Sequence, residues 1–362
     1  MTASTLEPVD RIAVLRANGL GDFVFSLPAL TALRLTYPAA QITLLGVAHH
    51  AQLLHARPSP VDQVEVVPPY PGVSVPESHG QDEAEMASFM ARMQAARFDL
   101  ALQLHGGGAN SNAFVQRLGA LTTAGLRAPG APALDRWVRY EYFHPEVLRY
   151  LEVVGLVGAD TPPSLEPQLA VVQRDRDEAT GALGAEASCL AVLHPGASDP
   201  RRRWPAPQFS KVGDELARRG LDVAVVGDLA EKRLVDAVIS GMTAPALGLA
   251  GSLSLGGLLG VLERADVVVG NDSGPLHLAA AVGTATVGIY WCGNMVNGGP
   301  LTVHRHRAAV SWELDCPVCG LNCMKGRCDH DHSFVGSVPA DEVLAAVDDV
   351  LPVCGERERS FG

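Results

Sequence analysis

Short apolar runs alternate with helical patterns along this chain, and they do so twice. Ile12–Leu15, Ile42–Leu45, Val64–Val67 and Leu100–Leu104 read as strands. Helical patterns fall around Leu27–Leu35, Ala48–Ala56, Glu83–Ala96, Asn112–Leu121 and Pro145–Val157. Such alternation requires βαβ units and a parallel sheet. The run Gly158-Ala-Asp-Thr-Pro-Pro-Ser-Leu-Glu-Pro167 is the richest punctuation mid-chain, and beyond it the alternation restarts. Strands are expected at Leu190–Leu193, Val223–Val226, Val267–Val269 and Ala285–Ile289, with helices at Pro207–Arg219, Ala230–Ile239, Leu255–Glu263 and Leu276–Val282. The expectation is an α/β protein of two domains, 1–165 and 166–362, each built on a parallel sheet. A last amphipathic helix, Ala340–Leu351, could cap either one.

A chain of 362 residues, 47% hydrophobic and 19% charged, can fill two such cores. Its formal net charge of −12 opposes nucleic acid and anionic membranes, so an anionic ligand needs a local basic patch. The lead MTASTLEPVD is not a signal sequence, and no run of eighteen apolar residues occurs, which predicts a cytoplasmic protein.

The first strand enters "RANGLGDFVFSLPAL". Gly19 and Gly21 suggest a dinucleotide fingerprint, but its third glycine is replaced by Val24 and "ITLLGVAHH" brings no acid for a ribose. Asp22 is either the N-cap of the following helix or a carboxylate facing the crevice at the strand's carboxyl end, where it could take a proton from a hydroxyl.

The second half carries the anion chemistry. "HPGASDPRRRWP" follows a strand with Gly196, Ser198 and three consecutive arginines, a solvated basic loop or a diphosphate clamp. "VVVGNDSGPLHLAAAVGTATVGIY" runs from a strand through Asp272, Ser273 and Gly274 into a helix with Pro275 in its first turn, exposing N–H groups suited to phosphate. Asp272 caps that helix or meets the ligand; His277 packs or meets it too. In "VVGDLAEKRL", Glu231 is a first-turn acid or a ribose contact.

These four motifs, in this order and across nearly the whole chain, resemble glycosyltransferase family 9, the ADP-heptose:lipopolysaccharide heptosyltransferases. The resemblance implies a GT-B fold with two Rossmann-like domains facing a central cleft, acceptor on the first and nucleotide-sugar on the second. It implies that Asp22 is the general base, that Asp272 contacts the donor sugar, that Glu231 binds the ribose, and that Ser198 and Arg202 bind the diphosphate. Many members carry lysine where this chain has Arg202. Asp22, Asp272 and Arg202 are thus the expected catalytic residues; Ser198, Glu231, Ser273, Gly274 and His277 join Arg202 and Asp272 as donor ligands. The implied reaction inverts the anomeric carbon without a metal, using ADP-heptose and a lipopolysaccharide-core or other envelope glycan. Membrane contact would be peripheral at most, at the inner face. A GT-B nucleotide-sugar epimerase and a non-catalytic nucleotide-sugar-binding protein are the alternatives.

One cluster lies apart from these motifs. "CPVCGLNCMKGRCDHDH" brings Cys316, Cys319, Cys323 and Cys328 within thirteen residues, followed by His330 and His332. The four thiols read as a closed structural zinc or iron site or as reduced structural cysteines. Cys189, Cys292 and Cys354, in apolar or terminal contexts, read as packing.

Overall fold

The computed structural model describes residues 8–184 and 189–351. They divide into two compact units, Met1–Ala170 and Val171–Gly362. In the first, β1 (Arg11–Leu15), β2 (Gln41–Gly46), β3 (Gln63–Val66), β4 (Leu100–Gln103), β5 (Thr122–Arg127) and β6 (Arg136–Arg139) form one parallel sheet in the order β3-β2-β1-β4-β5-β6. In the second, β7 (Leu190–His194), β8 (Asp222–Gly227), β9 (Leu247–Ala250), β10 (Val267–Asn271), β11 (Ala285–Trp291) and β12 (His306–Ser311) repeat that winding as β9-β8-β7-β10-β11-β12. In each sheet the strand order reverses between its first and fourth strands, and loops leaving their carboxyl ends meet there.

The central strands read as continuous apolar runs because helices cover both faces of each sheet. Ile12 to Leu15 and Val267 to Val269 are wholly buried, each Ile, Val and Leu side chain among them contributing about 1.5–3 kcal/mol. Phe89, Phe114, Met86 and Met93 fill the first core; Trp204, Phe209, Leu216 and Val343 fill the second. The final helix, Ala340–Val350, packs on β11, β12 and the helix Ala206–Arg218 of its own unit.

Strands β5, β6, β9 and β12 and the helices Gln173–Leu183 and Cys292–Gly298 were not foreseen. β6 (Arg-Trp-Val-Arg) and β9 (Leu-Gly-Leu-Ala) are short strands at sheet edges, where little apolar pattern is needed. Cys189 packs against the second core as expected but is also disulfide-bonded, whereas Cys292 is buried and free. Cys354 lies outside the described residues. Among the described residues no helix is long and apolar enough to cross a membrane.

Candidate active site

In the first unit the turn after β1 feeds the helix Leu20–Thr36. Its N-cap is Gly19, so Asp22 is not the cap: it stands at the third helical position, where Oδ2 accepts from the Gly19 N–H at 3.2 Å. Gly19 has φ −62°, open to any residue, so this turn does not use glycine's left-handed range. The Asp22 side chain remains 38% exposed, available to a substrate.

Behind it lies a group that the sequence reading passed over. Arg16, at the end of β1, is buried and places Nη2 3.2 Å from Asp22 Oδ1 and 2.7 Å from Glu146 Oε2. Its Nε donates to the Asp22 carbonyl at 3.0 Å and its Nη1 to that of Leu104 at 2.8 Å. The Tyr150 hydroxyl donates to Glu146, and the guanidinium sits 4.9 Å from the Tyr150 ring. Burial opposes the Arg16 charge, but Tyr150, Glu146 and Asp22 more than offset it and hold its pKa above the ordinary value. The nearby rings of His50 and His105 stay neutral: burial first, then neighbouring positive charge, pushes both down to about 3. An Arg-to-Glu spacing of 130 residues leaves no local signal, so only the fold could reveal this pairing.

In the second unit the loops after β7 and β10 meet at the reversal of strand order. The three arginines part company there. Arg201 binds Asp199 through Nε and Nη2, the latter at 2.6 Å, and stacks on Phe334. The Arg203 Nε donates to the Ala197 carbonyl at 2.9 Å. Only Arg202 reaches the helix opening, with Nη1 3.1 Å from Asp272 Oδ2 and Nη2 2.9 Å from Ser198 Oγ. Of the three arginines, a single guanidinium thus faces the helix opening, on a loop that its neighbours hold in place.

Asp272 is not the cap of the helix Gly274–Ala281; Ser273 is. The buried Asp272 carboxylate is held from the other side by His277 Nε2, 3.0 Å from Oδ1. Burial would raise its pKa, but His277 and Arg202 bring it below the usual carboxylate value. His277 thus packs against Asp272 at the helix opening, beside the N–H groups of the first turn.

Glu231 precedes the helix Lys232–Gly241 at its N-cap. Its Oε2 lies 3.3 Å from His194 Nε2 and accepts from the Asp228 N–H at 3.1 Å. A carboxylate only accepts, so the imidazole carries its proton on Nε2, leaving Nδ1 to face Ser273 Oγ at 3.0 Å. His194 thereby links Glu231 to the helix opening, another link that motif reading missed. The arrangement depends on Gly196, since a Cβ there would fall 1.8 Å from Glu231 Oε1. Asn271 joins the two loops, donating to the Pro195 carbonyl at 2.8 Å and accepting from the Trp204 N–H at 3.0 Å.

The cysteine segment differs from expectation in one member. Donor atoms of Cys316, Cys319, Cys328 and His330 all lie within 4.8 Å of one another; the Cys323 thiol is not in that set but adjoins Cys328 and faces the Leu321 carbonyl. The backbone N–H groups of Cys319 and Val318 draw the Cys316 thiol down to about 6.

Two doubly wound α/β units, the second with one guanidinium beside a helix opening at its switch point, present polar strand-end loops of the kind at which open parallel sheets take ligands. The chain belongs to glycosyltransferase family 9 (heptosyltransferase), whose model matches residues 86–319. It is 29% identical over 167 residues to lipopolysaccharide heptosyltransferase 3 of Escherichia coli (strain K12), covering 44% of this chain and 46% of that protein. The chain thus spans about half the length of that curated relative. The crystal structure of the glycosyl transferase family 9 from Veillonella parvula DSM 2008 superposes with a TM-score of 0.76 at 22% identity, covering 97% of this chain and 99% of that one. The iron-containing dodecameric glycosyltransferase TibC from enterotoxigenic E. coli H10407 superposes with a TM-score of 0.56 at 13% identity, covering 96% of this chain and 77% of that one. The shared architecture is GT-B, built from two Rossmann-like domains.

Proposed function

We propose that this protein is an inverting glycosyltransferase that moves a heptose from ADP-heptose to a lipopolysaccharide-core or related envelope glycan. The carrying observation is the convergence of Ser198, Arg202 and Asp272 at the second switch point. In this reading residues 166–362 bind the donor and residues 1–165 the acceptor. Arg202 and Ser198 hold the diphosphate, assisted by the N–H groups opening the helix Gly274–Ala281. Glu231, oriented by His194, takes the ribose hydroxyls.

Chemically, Asp22 accepts the proton of the acceptor hydroxyl as that oxygen forms its bond to the anomeric carbon. The bond to the nucleoside diphosphate breaks on the opposite face, inverting the centre. Negative charge grows on the leaving diphosphate, and the Arg202 guanidinium neutralises it. Asp272, paired with Arg202 and hydrogen-bonded to His277, orients that guanidinium and meets the donor sugar. This chain's own cations therefore do what a divalent ion does in other sugar transfers.

The Cys316, Cys319, Cys328 and His330 group fits a closed structural metal, zinc or iron, in the same reading. Tetrahedral zinc with thiolates at about 2.3 Å needs donor separations near 3.8 Å, compatible with the spacing found. Iron in TibC supports iron as the second option.

Calorimetry with ADP, UDP and GDP, beside the Glu231→Ala and Arg202→Ala variants, tests the donor assignment. ADP preference weakened in both variants is expected. Preference for UDP or GDP removes the heptose inference, and no binding removes the transferase reading.

A further inference from the structure

The cysteine segment and the arginine loop are far apart in sequence but share hydrogen bonds. Three residues beyond His330, Ser333 Oγ donates to the Arg203 carbonyl at 2.7 Å. The next N–H, that of Phe334, donates to the Arg201 carbonyl at 2.6 Å. The Phe334 ring lies under the Arg201 guanidinium, 4.8 Å away, and packs on Trp291 at 5.1 Å. Farther on, the Val338 carbonyl accepts from Trp204 Nε1 at 2.8 Å. Residues 333–338 therefore fasten both sides of the loop that presents Arg202.

Upstream, little regular structure secures this strap. Between β12 and the helix Ala340–Val350 the chain has no helix, and its only pairing is the isolated bridge Asp315–Asn322. The Cys316 turn is nonetheless shaped as a metal knuckle. The Gly320 N–H donates to the Cys316 carbonyl at 2.8 Å, and Gly320 takes φ +71°, a conformation strained for any side chain. Cys316 Sγ is 3.8 Å from His330 Nδ1, close to the roughly 3.6 Å edge between a thiolate and an imidazole on one tetrahedral metal.

We propose that one thiolate-bound metal ion on Cys316, Cys319, Cys328 and His330 anchors the 333–338 strap and thereby sets the position of Arg202, making diphosphate affinity depend on metal occupancy. The Cys323 thiol adjoins Cys328 but is not a ligand in this proposal. The metal is structural, acting on the donor only through the loop, so the inference about affinity rests on the donor reading given above; the inference about the metal does not.

The test uses the full-length protein as purified. Elemental analysis should find about one zinc or iron per chain, retained in Cys323→Ser and lost in His330→Ala. Zinc replaced by cobalt should show thiolate-to-cobalt charge-transfer bands, which free or disulfide-bonded cysteines cannot give. Amide hydrogen exchange should show Arg201–Trp204 losing protection after chelation and regaining it on readdition of metal, with far-UV circular dichroism unchanged. ADP should bind the metal-free form about tenfold more weakly, the cost of one misplaced charged hydrogen bond. Absence of metal, or its loss from Cys323→Ser with retention in His330→Ala, overturns the site. Unchanged loop exchange after full metal removal overturns the anchoring. If the metal-loaded protein does not bind ADP while exchange still follows the metal, the donor reading fails and the anchoring stands.

Discussion

The buried guanidinium of Arg16 stands 3.2 Å from the carboxylate of Asp22, within the reach of an ion pair, and Glu146 claims the same nitrogen at 2.7 Å. Asp22 is thus held in one orientation at the carboxyl end of β1, beside the first sheet's switch point. A carboxylate so fixed can accept a proton only along its free edge. Arg16→Met should leave the half-buried Glu146 with only the longer ion pair to Arg149, 3.5 Å away, and cost about 1–3 kcal/mol of stability, read as the shift in urea midpoint. Asp22→Asn should fold normally, bind ADP as the parent does, and lose roughly 100- to 10,000-fold in kcat for sugar transfer. Near-parental turnover would remove Asp22 as the base.

Adjacent arginines should behave differently. Arg202→Ala should weaken ADP binding about 10- to 100-fold, since its guanidinium, held by Ser198 and Asp272, is the one of the three at the helix opening. Arg201→Ala should lower the thermal midpoint instead, because it breaks the pair with Asp199 and the stack on Phe334. Equal effects of the two substitutions on ADP affinity would return the run to a general basic patch.

Gly196→Ala tests the packing of Glu231. The added methyl falls onto the Glu231 carboxylate, so the side chain must leave His194. The expected result is ADP affinity close to that of Glu231→Ala, with the double variant no worse than either single one. Full additivity in calorimetry would separate the two residues.

Acid should loosen the arginine loop. The hydrogen bonds from the Arg201 side chain hold Asp199 down at about 2. A carboxylate depressed on folding stabilises the protein above its unfolded pKa, near 3.9, and that contribution disappears as pH falls through the folded value. The stability gap between parent and Asp199→Asn should therefore be full at pH 5 and close between about pH 4 and 2. A gap that persists unchanged to pH 2 would show that the pair is not what Asp199 contributes.

What was legible in the sequence follows from periodicity. Continuous apolar strands buried on both faces, such as Val267–Val269, announce themselves, as do glycine turns that pass into helices. The edge strand Arg136–Arg139 does not, because one side of an edge is solvent and its residues need not be apolar. Asp22, Ser198, Arg202, Glu231 and Asp272 were each visible as polar residues at strand ends, where a parallel sheet presents its loops. Their relations were not. Asp22 and Asp272 each carried two readings, and neither turned out to be a helix cap.

By itself the sequence determined two doubly wound sheets, because alternating apolar runs of strand and helix length have few other ways to be buried. It also determined which loops carry polar chemistry. Tertiary structure alone decided the pairings: Arg16 with Glu146 across 130 residues, one arginine of three turned to Asp272, and His330 in place of Cys323 beside three thiols. The physical reason is one of range. Hydrophobic periodicity is local and repeats along the chain, whereas hydrogen bonds and ion pairs depend on separations of a few ångströms, which exist only once distant segments have been packed together.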